Sequence, residues 1–337
     1  MKKKRLLSFF VLIIVIIVVM VIGLFVNSEK LHKSEKGLTE SKLKIGLIID
    51  GNKDDSNLYI STYNGIMNVK DETKAFFSMR EGIKADKLEE TANAYAKDEY
   101  NILILVGVDY DKLANKLADD FPNIKIIVMN SNLKNEKNLG SLYMDYRSSG
   151  FVKGMLASYV SKNNVIAGIG YSVNDATMHE LYGFENGVHY VQPDIQVYSE
   201  YVTKRGANAS VGSLLNEFIG YGADVVISSA GNKDKEVYDL AESKGLYAFG
   251  NNSSYLESYP KTMIAVTSFD VSGGVSDIIK MVYENGFKGE SIALGFDIEY
   301  NEGLKAKIPA KGISRVEDTL NKLKSGALDI NKLAPLE

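Results

Sequence analysis

Short apolar runs rich in isoleucine and valine recur along this chain at intervals that leave room for one helix between each pair. KIGLIID (44–50), ILILV (102–106), IKIIVM (124–129), VIAGIG (165–170), DVVISS (224–229), GLYAFG (245–250) and MIAVTS (263–268) are each only a few residues long. Runs of this kind, apolar without alternation, read as strands covered on both faces. The segments between them carry helical spacing. In the first, Leu58, Thr62, Ile66 and Val69 recur at steps of four, four and three and share one face. Strands alternating with helices predict an α/β protein with parallel sheets. The alternation pauses at NLGSLYMDYRSSG (138–150), with roughly five such units before it and four after. Two Rossmann-like lobes, each about the size of an ordinary domain, accommodate 337 residues better than one sheet. Ligands of such sheets sit outside the carboxyl ends of the strands. The loops that follow the strands, lining a cleft between the lobes, are therefore the expected binding surface.

The amino terminus breaks this pattern. Met1-Lys2-Lys3-Lys4-Arg5 precedes Leu6–Val26, which has no charged residue. About 20 apolar residues suffice to cross a bilayer as a helix. The stretch is longer than a usual signal-peptide core and lacks a small-residue cleavage site, so it reads as an uncleaved anchor. The basic residues before it predict a cytoplasmic N-terminus and an extracytoplasmic body. Residues 1–27 are thus expected as a membrane anchor and 28–42 as a polar tether. The expected lobes comprise 43–149 with 260–290, and 150–259 with 291–330.

Composition narrows the function classes. The chain has no cysteine, which removes disulfides, thiol catalysis, cysteine-based zinc sites and lipid attachment through cysteine. The formal net charge is −4 and Lys2–Arg5 contribute four positive charges, so the remainder carries −8. An acidic body is a poor partner for nucleic acid. The GxG of Gly168-Ile169-Gly170 has Val173 where a dinucleotide fingerprint needs glycine, and neither a GxxxxGK[ST] loop nor a GxSxG elbow occurs. Of three histidines, His32 lies in the tether, and His179 and His189 read as solvated helix residues. Asp109 and Asp111 suit the start of a helix through its dipole. No cofactor, metal site or catalytic constellation is expected, and so no enzyme.

Several segments together resemble one family. KIGLIIDGNKDDSNLYISTYNGI, FPNIKIIVMNS, NLGSLYMDYRSSGFVKGMLASYVSKNNVIAGIG, HELYGFENGVHYVQPDIQVYSEYV, YGADVVISSAG, GLYAFGNNSS and AVTSFDVSGGVSDIIK occur in an order similar to that of the basic-membrane-protein (BMP, PnrA-like) substrate-binding proteins. The resemblance covers roughly residues 43–300 and includes the GFxxG at Gly183–Gly187. It implies a type I periplasmic-binding-protein fold with a hinge, closing on a nucleoside delivered to an ABC transporter permease. It also implies a ligand gripped by an aspartate after the first strand, with aromatic rings about the base and polar contacts to the ribose.

By that resemblance Asp55 takes the aspartate position. Leu58, Tyr59 and Ile60 replace the usual aromatic, asparagine and glutamine, Asn130 and Asn251 stand where aspartates are usual, and Val271 replaces a lysine. An asparagine keeps an acceptor and adds donors. Tyr59, Tyr171 or Tyr255 are the rings available for stacking. The ligand-binding candidates are Asp55, Tyr59, Gly107, Asn130, Tyr171, Gly231 and Asn251. Each has a plainer alternative: Asp55 as a helix cap, the asparagines as turn residues, the glycines as turns, the tyrosines as packing. The expected function is a membrane-anchored extracytoplasmic protein that captures a small polar solute, nucleoside-like solutes included, for an ABC permease. The alternative is a degenerate binding protein acting as a sensor or regulatory partner.

Overall fold

The computed structural model describes residues 43–332. The anchor and tether expected over 1–42 lie outside the described residues. Among the described residues, no helix is long and apolar enough to cross a membrane. The described residues form two compact α/β units, one from 43–142 with Ser272–Ile292, the other from Tyr143–Val271 with 293–332.

The first sheet comprises β1 (Leu43–Ile49), β2 (Ala75–Arg80), β3 (Ile102–Val106), β4 (Lys125–Met129), β5 (Leu139–Met144) and β11 (Ser291–Leu294), in the order β11-β5-β4-β3-β1-β2. Its pairs from β5 to β2 are parallel. The second comprises β6 (Val165–Gly170), β7 (Gln196–Tyr201), β8 (Val225–Ser229), β9 (Tyr247–Gly250), β10 (Met263–Phe269) and β12 (Phe296–Tyr300), in the order β12-β10-β9-β8-β6-β7. It departs from the parallel expectation at one edge, where β12 runs antiparallel to β10. An edge strand has one neighbour to satisfy, and mixed sheets commonly reverse there.

All seven expected runs are strands. Five further strands, β2, β5, β7, β11 and β12, were not among the expected ones. The pause in alternation at 138–150 is itself β5 followed by the start of a helix.

The helices are α1 (Asn57–Lys70), α2 (Ala85–Lys97), α3 (Asp111–Asp120), α4 (Tyr146–Val160), α5 (Asp175–Val191), α6 (Val211–Gly220), α7 (Asp234–Lys244), α8 (Ser254–Ser258), α9 (Val271–Tyr283) and α10 (Ala310–Lys324). Ser56 caps α1, its Oγ accepting from Tyr59 N at 3.3 Å; the helix buries Thr62, Ile66 and Val69 as its spacing predicts, and Gly65 besides, while Leu58 is only half-buried. In the first unit, Ile48, Leu103 and Leu105 pack against Leu88 of α2 and Leu117 of α3. In the second, Val225, Ile227 and Phe249 meet Phe151 of α4 and Phe184 of α5 on one face, while Val226 and Ala248 meet Leu215 and Val237 on the other.

Helices α4 and α5 approach almost backbone to backbone. A Cβ at Gly150 or Gly154 would overlap the carbonyl oxygen of Glu180 or Phe184; one at Gly183 or Gly187 would overlap that of Arg147 or Phe151. The GFxxG is therefore half of a reciprocal glycine contact between two helices. Their closeness decides what the polar residues of these two helices can reach.

Candidate functional site

At the carboxyl end of β1 the chain turns out through Asp50, whose N–H donates to Val106 O at 3.2 Å. Its carboxylate accepts from Val108 N at 2.8 Å through Oδ2 and from the Tyr59 hydroxyl through Oδ1. Lys84 Nζ donates to the Asp50 carbonyl at 2.7 Å. Burial, helped by the bond to Asp50, pushes the Tyr59 hydroxyl up to about 12, so the phenol keeps its proton and stays a donor. Gly107 closes the group: a Cβ there would come within 2.9 Å of the Asp50 carboxylate and 2.8 Å of the Tyr110 ring. Tyr59 and Gly107 thus meet at Asp50.

Asp55 is exposed and turned into its own 3-10 turn (Lys53–Asp55), its Oδ2 accepting from Asn52 N at 2.6 Å and Asn52 Nδ2 at 3.1 Å. Asn130 is exposed at the end of β4 with φ 53°, a left-handed conformation that asparagine tolerates.

The second sheet ends in a different kind of group. Lys153 of α4 and Glu180 of α5 form an ion pair whose side chains are 0% and 2% exposed. Around it stand residues at or near the carboxyl ends of three neighbouring strands. Ser229, the last residue of β8, donates through its hydroxyl to Glu180 Oε2 at 2.6 Å. Asn251, after β9, donates through Nδ2 to Glu180 Oε1 at 2.7 Å and accepts from the Lys153 ammonium. Thr267 of β10 donates to Asn251 Oδ1 at 3.1 Å, and Ser149 Oγ lies 2.8 Å from Thr267 Oγ1.

Beneath the end of β8, the buried Asp234 accepts from Ser228 Oγ at 2.6 Å and Ala230 N at 2.8 Å. Burial pushes its carboxyl up to about 6 against the pull of those bonds. Glu299 of β12 accepts from Ser253 Oγ at 2.6 Å and Ser268 Oγ at 2.7 Å.

Of the remaining candidates, Tyr171 follows β6 with its ring exposed and its carbonyl accepting from Thr203 N at 3.0 Å. Gly231 opens a 3-10 turn after β8 at φ 63°, with nothing within 4 Å of where a Cβ would be. The structure therefore gathers Tyr59 and Gly107 at one sheet end and sets Asn251 in a buried polar group at the other. Asp55 lies near Tyr59, across Gly51, without bonding to it, and Asn130, Tyr171 and Gly231 take no part in either group.

Both sheet ends are built from hydrogen-bonding groups held in place, which suits recognition. Among the described residues no group of three or more His, Asp and Glu is placed to hold a metal ion. His179 is exposed, but His189 is half-buried with Nε2 donating to Ile195 O at 3.0 Å, a departure from the solvated reading.

The reading of the sequence missed Asp50, Lys153, Glu180, Ser229 and Thr267. Two of them left a signal. Asp50 ends an apolar strand, and Lys153 is the one charge in FVKGMLASYV (151–160).

A family model described as "ABC transporter substrate-binding protein PnrA-like" matches residues 42–303. The transcriptional activator protein med of Bacillus subtilis is 24% identical over 249 residues, 73% of this chain and 77% of that protein. The ABC transporter nucleoside-binding protein BmpA of Lactococcus lactis is 22% identical over 317 residues, 87% of this chain and 89% of that protein. In three dimensions the chain is similar to an ABC transporter solute-binding protein from Conexibacter woesei, with a TM-score of 0.66 at 14% identity, covering 85% of this chain and 98% of that one. That likeness identifies the fold as the type I periplasmic-binding-protein fold. With the family match spanning most of the chain, this protein belongs to the PnrA-like family of ABC transporter substrate-binding proteins.

Proposed function

We propose that this protein captures a small polar solute of the nucleoside class outside the cytoplasm and hands it to an ABC transporter permease, held at the membrane by Leu6–Val26. The observation that carries this reading is the group at the ends of β8, β9 and β10, where buried charges hold Asn251 in one orientation at a site that such folds use for ligands. The nucleoside-binding protein of Lactococcus lactis, similar over 87% of this chain, supports the solute class. Binding is the whole of the mechanism: fixed donors and acceptors replace the solute's water, and no bond is made or broken.

A ligand that binds only the folded state must stabilise it, by about 2.7 kcal/mol at a hundred times its Kd. Thermal unfolding of the full chain with adenosine, guanosine, cytidine and uridine at saturating concentration tests this, and a raised Tm that Asn251→Ala reduces is the expected result. No shift with any of them removes the nucleoside reading. External protease should cleave the body on intact cells; full protection would reverse the proposed topology.

A second reading, a regulatory binding protein, is favoured by the similarity to a protein described as a transcriptional activator. It predicts no stabilisation by such solutes.

A further inference from the structure

Asn251 reaches the end of β9 with nearly all of its hydrogen-bonding capacity used inside its own unit. Its Oδ1 accepts from the Lys153 ammonium and from Thr267 Oγ1, and its Nδ2 donates to Glu180 Oε1. An amide side chain has two lone pairs and two N–H groups. Both lone pairs and one N–H are taken, which leaves a single N–H.

The orientation follows from chemistry. An ammonium can only donate and a carboxylate can only accept, so turning the amide over would set donor against donor and acceptor against acceptor. Glu180 is nearly filled as well, its Oε1 taking two donors and its Oε2 the Ser229 hydroxyl. The pair is buried to the last few per cent, whereas Asn251 is only half-buried. The charges are thus buried more completely than the amide they orient.

We infer that Lys153 and Glu180 are positioning residues that make Asn251 a one-donor contact, selecting a solute group that accepts a hydrogen bond and rejecting one that only donates. A carbonyl oxygen or an unprotonated ring nitrogen fits; an amino group does not. A carboxylate at this position would do the reverse, accepting and never donating. The inference rests on the binding reading above and adds the polarity of one contact. Setting donor against donor leaves both unpaired, a mismatch that costs about ten- to a hundredfold in affinity.

Two measurements on the full chain test it. With 15N-asparagine labelling, the Asn251 side-chain signal is identified by its loss in Asn251→Ala. One Nδ2 proton should be protected from exchange and the other should exchange freely. Equal exchange of the two overturns the inference, whatever the solute.

The second measurement is calorimetric titration with two ribosides. Purine riboside offers only acceptors on its six-membered-ring edge, whereas 2,6-diaminopurine riboside flanks N1 with two amino groups, so that an N–H approaching that edge meets a donor on either side of it. The wild-type chain should favour the first at least tenfold. Lys153→Met/Glu180→Leu, whose retained fold is checked by circular dichroism, should shrink that preference to a fewfold. An equal or inverted preference in the wild type, or a preference unchanged in the double variant, overturns the inference and leaves the binding reading standing. If the wild type binds neither riboside, the nucleoside reading falls and this inference with it.

Discussion

At the end of β1 a carboxylate is held by one hydroxyl, nine residues further along the chain, and by one backbone N–H. At the end of β9 an amide is held by an ion pair carried on two helices and buried almost completely. The first arrangement keeps Asp50 near water, so losing a partner exposes the carboxylate to solvent and costs little. The second takes two charges out of water, which is tolerable only while each has the other and their remaining positions are filled. The contrast separates two ways of fixing a polar group at a sheet end. One is open to water and tolerant of change, and the other is buried and fails as a whole.

The contrast is broken most sharply at the ion pair. Lys153→Ala leaves Glu180 buried without its cation and should destabilise the second unit by about 3–5 kcal/mol. Urea unfolding followed by circular dichroism measures this; a loss below about 1 kcal/mol would mean that water reaches the pair.

Next comes Asp234, beside the same group. Its carboxyl titrates near 3.8 when unfolded and at about 6 when folded. Between those values the folded state holds a proton that the unfolded state has released, so stability falls as pH rises through the window. A shift of this size corresponds to roughly 3 kcal/mol. Asp234→Asn should match the wild type near pH 4 and exceed it by up to that amount at pH 7, and parallel urea curves at the two pH values would refute the assignment.

Gly187→Ala presses a methyl group against the Phe151 carbonyl and should cost about 1–3 kcal/mol as the helices part. It should also loosen the ion pair, so its effect should be much smaller when added to Lys153→Met/Glu180→Leu. Simple additivity in that cycle would separate the glycine contact from the charges. The smallest effect belongs to the first sheet. Tyr59→Phe removes one donor from a carboxylate that water can still reach and should cost about 1 kcal/mol. A loss as large as that of Lys153→Ala would erase the distinction between the two ends.

What the sequence reveals of this fold follows the position of each strand. The seven expected runs, from KIGLIID to MIAVTS, all lie inside the sheets with a neighbour on each side. Covered on both faces, they are apolar throughout and stand out. Four of the five strands that escaped are edges, β2, β7, β11 and β12, where partial exposure admits residues such as Arg80, Glu200 and Asp297. The fifth, β5, is interior, but Gly140 fits against Phe287 and the Glu290 carbonyl, and a glycine followed by a serine dilutes the apolar run.

The sites follow a similar logic. Asn251 was legible because it ends a recognisable strand. Lys153 and Glu180 belong to different helices with β6 between them in the chain, and no local spacing connects them. Asp55 carried the expected anchor, whereas the carboxylate tied into the sheet end is Asp50, five residues earlier in the chain.

Strand β11 has a consequence for how the protein is made. It borders β5 in the first sheet, yet the chain reaches it only after all of β6 to β10. On the ribosome, where chains emerge from the amino end, the first sheet must wait with its β5 edge uncovered while nearly the whole second sheet is synthesised. A nascent chain stalled before Ser291 would present that edge to any other strand in reach, and truncation at the boundary after Leu142 would make the same exposure permanent.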